Sequence, residues 1–158
     1  MNMRDAALKF SIEYFDGGNF KADLAEMIAI PSESQSTHGR EHLQNYLDFS
    51  IIPMLSNMGF TCQIFQNTAQ EGSPFLVAER IEHPSLPTIL TYGHGDVVRG
   101  QKNDWKPGLS PFELKEEGVR LYGRGTADNK GQHLINFKAL AAVLETQGKL
   151  GFNFKVLF

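Results

Sequence analysis

Hydrophobic residues recur at helical spacing in three parts of the chain. The first thirty residues predict two helices, interrupted at 16–19, where Asp-Gly-Gly-Asn is typical of a turn. A further helix is expected over 40–58, kinked by Pro53 inside the pattern and ended by Gly59. The third helix is predicted after the glycine-rich segment 123–131. Its buried face would carry Leu134, Phe137, Ala141 and Leu144.

Short runs rich in β-branched and aromatic residues indicate strands. They lie at 62–65, 75–78, 88–92 and 152–158, with a hairpin joining 112–114 to 119–122. The run 88–92, Thr-Ile-Leu-Thr-Tyr, is almost entirely apolar or hydroxylated, so we expect it to be buried on both faces of a sheet. Helices and strands alternate from residue 40 onward, which predicts a layered α/β fold.

Composition narrows the possible functions. The 158 residues fit one domain, and the net charge of -3 gives no basic surface for a nucleic acid. The single cysteine, Cys62, excludes an internal disulfide and a Cys-x-x-Cys zinc site, and it is expected to be a small buried hydrophobe. No stretch has the roughly 20 apolar residues of a membrane span, and the N-terminus does not resemble a signal peptide. A cytoplasmic, soluble protein is therefore predicted.

The first group of residues with chemical potential is His94-Gly95-Asp96, directly after the predicted strand 88–92. Ligands of open α/β sheets bind beyond the carboxyl ends of strands. A neutral imidazole is a good zinc ligand, and a carboxylate can orient its other ring nitrogen. The alternative is a histidine at a strand end beside a solvated aspartate.

The second group is the segment 123–131, which places Asp128 where a loop enters a helix. Asp128 or Thr126 could equally be a helix N-cap that needs no metal, and Lys130 could be an exposed first-turn lysine. The spacing is neither Gly-x-Gly-x-x-Gly nor a Walker motif, which argues against a nucleotide-binding domain. Four other histidines have no partner pattern and are expected to be surface or helix residues rather than ligands: His38, His42, His83 and His133.

Taken together, the two groups resemble a known family. Tyr-Gly-His-Gly-Asp-Val-Val at 92–98, Trp105, Pro-Phe at 111–112 and Leu-Tyr-Gly-Arg-Gly-Thr-Ala-Asp-Asn-Lys-Gly at 121–131 closely resemble the aminoacylase and carboxypeptidase family of co-catalytic zinc hydrolases. This family includes acetylornithine deacetylase, succinyl-diaminopimelate desuccinylase and several dipeptidases. The resemblance implies that residues 1–158 form the N-terminal portion of a three-layer α/β/α catalytic domain, without its downstream half and its lid or dimerisation domain.

The resemblance also implies individual roles. His94 would bind one zinc ion, and Asp128 would bridge two zinc ions through its carboxylate oxygens. Asp96 would belong to the catalytic site as the carboxylate that holds the His94 ring. Asn129 stands where many relatives carry a second aspartate, and a cis peptide bond is implied between Asp128 and Asn129.

The implied reaction is zinc-assisted hydrolysis of a peptide or N-acyl amide bond, on a small peptide or N-acyl amino acid. The glutamate that would act as general base, and further zinc ligands, would lie beyond Phe158. Catalytic zinc sites normally use three protein ligands, so this polypeptide alone is expected to be inactive and to bind zinc weakly or not at all. The alternative is a non-catalytic, truncated relative that serves as a binding or assembly module.

Two further expectations concern surfaces. The apolar residues Phe152, Phe154, Val156 and Leu157 of the last strand would be left bare, which predicts self-association. The long loop 93–111 could form a wall of the substrate cleft with Trp105, although core packing of Trp105 is an equal alternative. Dipeptidase and deacylase activities are not separated by these residues.

Overall fold

A computed structural model describes residues 2–36, 38–68 and 72–158, and it contains five α-helices and six strands within them. The helices are α1 Met3–Asp16, α2 Asn19–Ala29, α3 Gly39–Tyr46, α4 Ile52–Asn57 and α5 Lys130–Gln147. The strands are β1 Thr61–Phe65, β2 Phe75–Arg80, β3 Thr88–Tyr92, β4 Lys115–Glu117, β5 Arg120–Tyr122 and β6 Asn153–Leu157. Most of the predicted elements are present with small shifts of their ends, but the first hairpin strand, expected at 112–114, forms at Lys115–Glu117 instead. Of the predicted polar loop at 32–37, Thr37 lies outside the described residues.

The helix breaks fall where the sequence predicts them. Gly18 separates α1 from α2 in a left-handed conformation with φ +79°, which glycine adopts without a steric penalty. The expected kink in the second helical region is a π-helical turn, Leu47–Ile51, between α3 and α4. Pro53 has no N–H to donate to the Phe49 carbonyl four residues earlier, so regular α-helical bonding cannot continue through this point.

The main sheet has the order β1-β2-β6-β3. β1, β2 and β6 pair antiparallel in turn, and β3 pairs parallel with β6. One face of the sheet packs onto the helices through alternate residues such as Leu76, Ala78 and Val156, each at most 1% exposed. The helices contribute Leu24, Ile28, Ile51, Leu55, Leu134 and Phe137 to the same core. The α/β prediction is confirmed, and the described residues supply the sheet with a helical layer on this face.

Two expectations about the sheet are wrong. β3 is not buried on both faces: it is the edge strand of the described sheet, and Leu90 and Tyr92 are each 69% exposed. The last strand is not a bare edge either, because β6 lies between β2 and β3 and buries Phe154 and Val156; Leu157, in contrast, is 39% exposed as expected. Exposed apolar side chains instead lie on the sheet face away from the helices, which we call the open face: Phe65, Phe75, Leu90, Tyr92 and Leu157.

Three smaller expectations can also be compared with the structure. Cys62 is half-buried rather than fully buried, and it packs against the core from β1. The hairpin forms as β4 and β5, with Gly118 at its turn. Among the described residues, no helix combines the length and the apolar character that a membrane crossing requires.

Candidate metal centre

His94 and Asp96 lie on a loop that leaves the end of β3 and is held by a second loop. Val97 donates its backbone N–H to the Ser32 carbonyl at 2.9 Å, and the Ser32 hydroxyl donates to the Gly95 carbonyl at 2.5 Å. Ser32 is fully buried, so these bonds form away from competing water. The sequence indicated only a polar loop here, because a serine that braces a neighbouring loop has no local pattern of its own.

Asp128 comes from the glycine-rich segment before α5. Gly125 has φ +94°, and an added Cβ would lie 3.1 Å from Val97, so the segment follows the first loop closely. Neither alternative cap is formed: α5 has no side-chain capping bond, and the Thr126 hydroxyl donates to the Gly123 carbonyl instead. The peptide bond between Asp128 and Asn129 is cis, as the resemblance implied.

The fold brings His94, Asp96 and Asp128 together. Nδ1 of His94 is 3.1 Å from both Oδ1 and the backbone carbonyl of Asp96. Nε2 of the same ring is 3.1 Å from Oδ1 of Asp128. The three residues line one hollow of about 290 Å³, and their side chains are 31%, 42% and 81% exposed. The arrangement is therefore open to a small ligand.

The chemistry of this arrangement fits a zinc ion. The Asp96 oxygens beside Nδ1 and the Asp128 oxygen beside Nε2 are all hydrogen-bond acceptors, and a neutral imidazole has only one ring proton to donate. With that proton on Nδ1, the Nε2 lone pair faces the Asp128 carboxylate. Two electron-rich atoms this close need a positive charge, either a proton on Nε2 or a metal ion bound by both. Tetrahedral zinc about 2.1 Å from each ligand would separate them by about 3.4 Å, close to the observed distance. Among the described residues, no group of three or more His, Cys, Asp or Glu side chains could hold a metal.

Behind the centre is a buried row of hydrogen bonds through Asn129, His133 and Tyr46. Oδ1 of Asn129 lies 3.2 Å from the His94 backbone nitrogen and 3.1 Å from Nδ1 of His133, and Nε2 of His133 lies 2.6 Å from the Tyr46 hydroxyl. His133 is a helix residue, as expected, but it is 2% exposed and has two polar partners that no sequence pattern indicated. Burial, with the positive charges of Lys130 and His94, lowers its pKa to about 3.

Lys130 also differs from its expected place. It is fully buried rather than exposed, and Nζ donates to the Met27 carbonyl at 2.9 Å and the Ile30 carbonyl at 2.7 Å. The ammonium group lies 4.7 Å from the centre of the Tyr46 ring, which adds a cation–π contact. Burial lowers its pKa to about 7. Lys130 thus ties the start of α5 to the C-terminal carbonyls of α2.

The loop 93–111 contributes Val97 and Val98 to the wall of the hollow, but Trp105 does not line it. The Trp105 indole N–H donates to the Gly100 carbonyl at 2.7 Å, and the Arg124 guanidinium lies 5.6 Å from its ring centre. Trp105 is half-buried and anchors the loop, but it belongs neither to the wall of the hollow nor to the hydrophobic core, so neither alternative describes its position.

Comparisons with known proteins agree with these observations. Residues 90–158 match the profile of Peptidase family M20/M25/M40. The "Beta-Ala-His dipeptidase" of Rattus norvegicus is 38% identical over 148 residues, which cover 87% of this chain and 30% of the relative. The "Succinyl-diaminopimelate desuccinylase" of Legionella pneumophila (strain Lens) is 32% identical over 134 residues, covering 82% of this chain and 32% of the relative.

The fold comparison points the same way. Human carnosine dipeptidase 1 superposes with a TM-score of 0.83 at 25% identity, over 99% of this chain and 34% of that chain. The chain therefore spans about a third of the length of the relatives it matches. The resemblance predicted from 92–98 and 121–131 is confirmed: residues 90–158 match Peptidase family M20/M25/M40, and the fold of the chain matches that of human carnosine dipeptidase 1.

Proposed function

We propose that the protein containing this chain is a two-zinc hydrolase that cleaves a peptide or N-acyl amide bond. His94 and Asp128 are its ligands from this chain, and Asp96 orients the His94 ring. The observation that carries the proposal is the pair of contacts on one imidazole: Asp96 on Nδ1 and the Asp128 carboxylate 3.1 Å from Nε2. This is the arrangement of a zinc-binding histidine and its supporting carboxylate.

Each residue has a defined part in this proposal. Asp96 accepts a hydrogen bond from the Nδ1–H group of His94, which leaves the Nε2 lone pair facing the hollow. Asp128, whose exposed carboxylate lies 3.1 Å from Nε2 of His94, would hold zinc together with His94. Zinc bound there would lower the pKa of a coordinated water and polarise the scissile carbonyl. We infer that the general base and the remaining ligands lie outside the described residues.

We propose a small substrate, either a peptide or an N-acyl amino acid. Two observations support this class: the hollow is only about 290 Å³, and the printed names of the relatives describe a Beta-Ala-His dipeptidase and a desuccinylase. We keep the prediction of a cytoplasmic location with it. Nothing in the described residues separates dipeptidase from deacylase.

The test uses the protein that carries this chain, with Asp128→Ala and, as a matched surface control, Asp48→Ala. We expect Asp128→Ala to lose bound zinc and hydrolysis of dipeptides and N-acyl amino acids together, because it removes a bridging ligand. Asp48 is exposed and lies on the π-helical turn, so its variant should keep both. Full zinc content and full activity in Asp128→Ala would contradict the proposal.

A second proposal concerns the 158-residue polypeptide alone. We propose that it binds zinc weakly and is inactive, because the described residues offer two metal donors where a catalytic site normally has three. Zinc measured after dialysis of the purified polypeptide tests this directly. Near-stoichiometric zinc together with amide hydrolysis would refute it.

The alternative function is that of a binding or assembly module. The open face favours this alternative. Leu90 and Tyr92 are each 69% exposed and belong to the edge strand β3, whose second edge is unpaired among the described residues. We propose self-association of the isolated polypeptide through this face. Light scattering across a concentration series should show a rising mass, and Leu90→Lys should reduce it, because a charge on the face opposes pairing. A monodisperse monomer at high concentration would exclude this surface as a contact.

A further inference from the structure

His133 and Tyr46 lie behind the candidate metal centre, and their side-chain hydrogen bonds go to each other and to Asn129 rather than to the three residues to which the proposed function assigns a role. We infer that they are positioning residues, which hold His94 and Asp128 at their separation through the side chain of Asn129. This inference rests on the proposed function, because it assumes that the His94 and Asp128 pair binds the metal. It assigns a purpose to a buried histidine that no sequence pattern singled out.

The donors and acceptors of the row can be assigned without ambiguity, beginning at the backbone. The His94 N–H is a donor, so the Asn129 atom 3.2 Å away must be the amide oxygen. The amide nitrogen then donates to Gln132 Oε1 at 2.6 Å. Because the Asn129 oxygen only accepts, Nδ1 of His133 must carry the ring proton. Nε2 of His133 is then unprotonated and accepts a hydrogen bond from the Tyr46 hydroxyl, whose oxygen lies 2.6 Å away.

Asn129 is the residue through which this row reaches both halves of the centre. Its oxygen holds the backbone of His94, and its own backbone follows Asp128 directly. A shift of the Asn129 side chain would therefore move the imidazole and the carboxylate relative to each other. His133 prevents this shift because its ring proton occupies the second lone pair of the same oxygen.

Aromatic packing fixes the side chains of His133 and Tyr46 in this row of hydrogen bonds. The His133 ring meets the Phe158 ring edge-on, with centroids 4.8 Å apart. Tyr46 is fully buried and lies so close to the His94 loop that a Cβ on Gly95 would collide with its ring. A Cβ on Gly93 would meet the Phe158 ring at 2.9 Å. The loop thus rests directly on the same aromatic groups that fix His133.

The first measurement reads the tautomer of His133 by NMR of the protein labelled with 13C and 15N in histidine. We expect the Nδ1–H form, which is the minor form of a free neutral imidazole, and the signal is assigned by its absence in His133→Gln. An Nε2–H tautomer would overturn the inference whether or not the protein binds zinc. The proposed function is judged separately by the zinc content of the unmodified protein.

The second measurement is zinc affinity, determined by competition with a chelator. His133→Phe keeps the ring and removes both hydrogen bonds, and we expect it to weaken zinc binding by about tenfold or more, as for other residues that support ligands. His133→Gln keeps one donor and one acceptor and should recover most of that loss. His83→Phe, a change at an exposed histidine away from the site, is the matched control.

The variants also separate positioning from simple loss of folding. If His133→Phe unfolds, Tyr46→Phe removes only the hydroxyl and should still weaken zinc binding, by a smaller factor. Equal zinc affinity in His133→Phe, Tyr46→Phe and the unmodified protein would overturn the inference. If the unmodified protein binds no zinc, the proposed function is refuted and the His94 backbone amide signal in His133→Phe tests the inference separately. A shifted signal supports the positioning role, and an unshifted signal overturns the inference as well.

Discussion

The two sides of the candidate centre differ in almost every physical property. On the solvent side, the side chains of His94, Asp96 and Asp128 are 31%, 42% and 81% exposed and are free to meet a ligand. On the buried side, Tyr46, Lys130 and His133 are at most 2% exposed and have their polar atoms paired. Substitutions on the solvent side should therefore affect ligand binding more than stability. The side chains of the buried side fix the positions of the residues on the solvent side.

This comparison predicts that the largest effect on stability comes from Lys130. Replacing it by methionine keeps most of the buried stem but leaves the Met27 and Ile30 carbonyls without their charged donor. Each hydrogen bond to a charged group contributes about 1.5–3 kcal/mol, so we expect a loss of about 3 kcal/mol in the free energy of unfolding. Urea denaturation measures it. Lys149→Met, at an exposed lysine, is the control, and equal losses in both variants would contradict the comparison.

The next effect is expected at Tyr46. Tyr46→Phe removes the hydroxyl that donates to Nε2 of His133 and leaves a buried acceptor unpaired. An unsatisfied buried polar atom costs about 1–3 kcal/mol, so the free energy of unfolding should fall by that amount. Tyr92→Phe makes the same chemical change on a side chain that is largely exposed, and it should have almost no effect. A stability unchanged by Tyr46→Phe would show that the row is not held by this bond.

The buried side also predicts a dependence of stability on pH. His133 is packed among the rings of Tyr46, Phe137 and Phe158, and its pKa is lowered to about 3 by burial and by the charges of Lys130 and His94. As the pH falls below the ordinary histidine pKa of 6.5, His133 binds a proton in the unfolded chain but remains neutral in the folded chain. The contribution of neutral His133 to the free energy of unfolding is therefore fully present above pH 6.5 and decreases as the pH falls towards 3.

Urea denaturation at pH 7 and pH 5 would measure this decrease. His133→Phe, which has no proton to take up, should show a smaller drop in the free energy of unfolding between the two values than the unmodified protein. An equal drop in both would indicate that other groups cause the pH dependence and that His133 is protonated in the folded state.

The smallest change in stability is expected on the solvent side. His94→Ala removes a partly exposed side chain whose bonds are to Asp96 and Asp128, so without metal the free energy of unfolding should change by only about 0.5 kcal/mol. Zinc binding should nevertheless be lost. A large destabilisation of the metal-free protein would mean that the two sides are not as separable as their burial indicates.

Much of the fold follows from local patterns in the sequence. The break between α1 and α2 at Gly18 and the interruption before Pro53 are backbone effects of single residues, and the sequence predicts both. The error at β3 has a different origin. An apolar run is the same whether a strand is central or at the edge, and only the order β1-β2-β6-β3 places this one at the edge.

Local sequence patterns are sufficient to predict most of the elements, the α/β class and the candidate residues His94, Asp96 and Asp128, because turn chemistry, hydrophobic periodicity and the ordered motifs all act over short stretches of chain. The positions of Lys130, His133 and Tyr46 depend on tertiary packing instead. Lys130 binds carbonyls about a hundred positions earlier in the chain, and His133 binds a hydroxyl 87 positions away. Such partners meet only when separate elements pack, and a buried polar side chain finds its partner at that stage rather than in its local sequence.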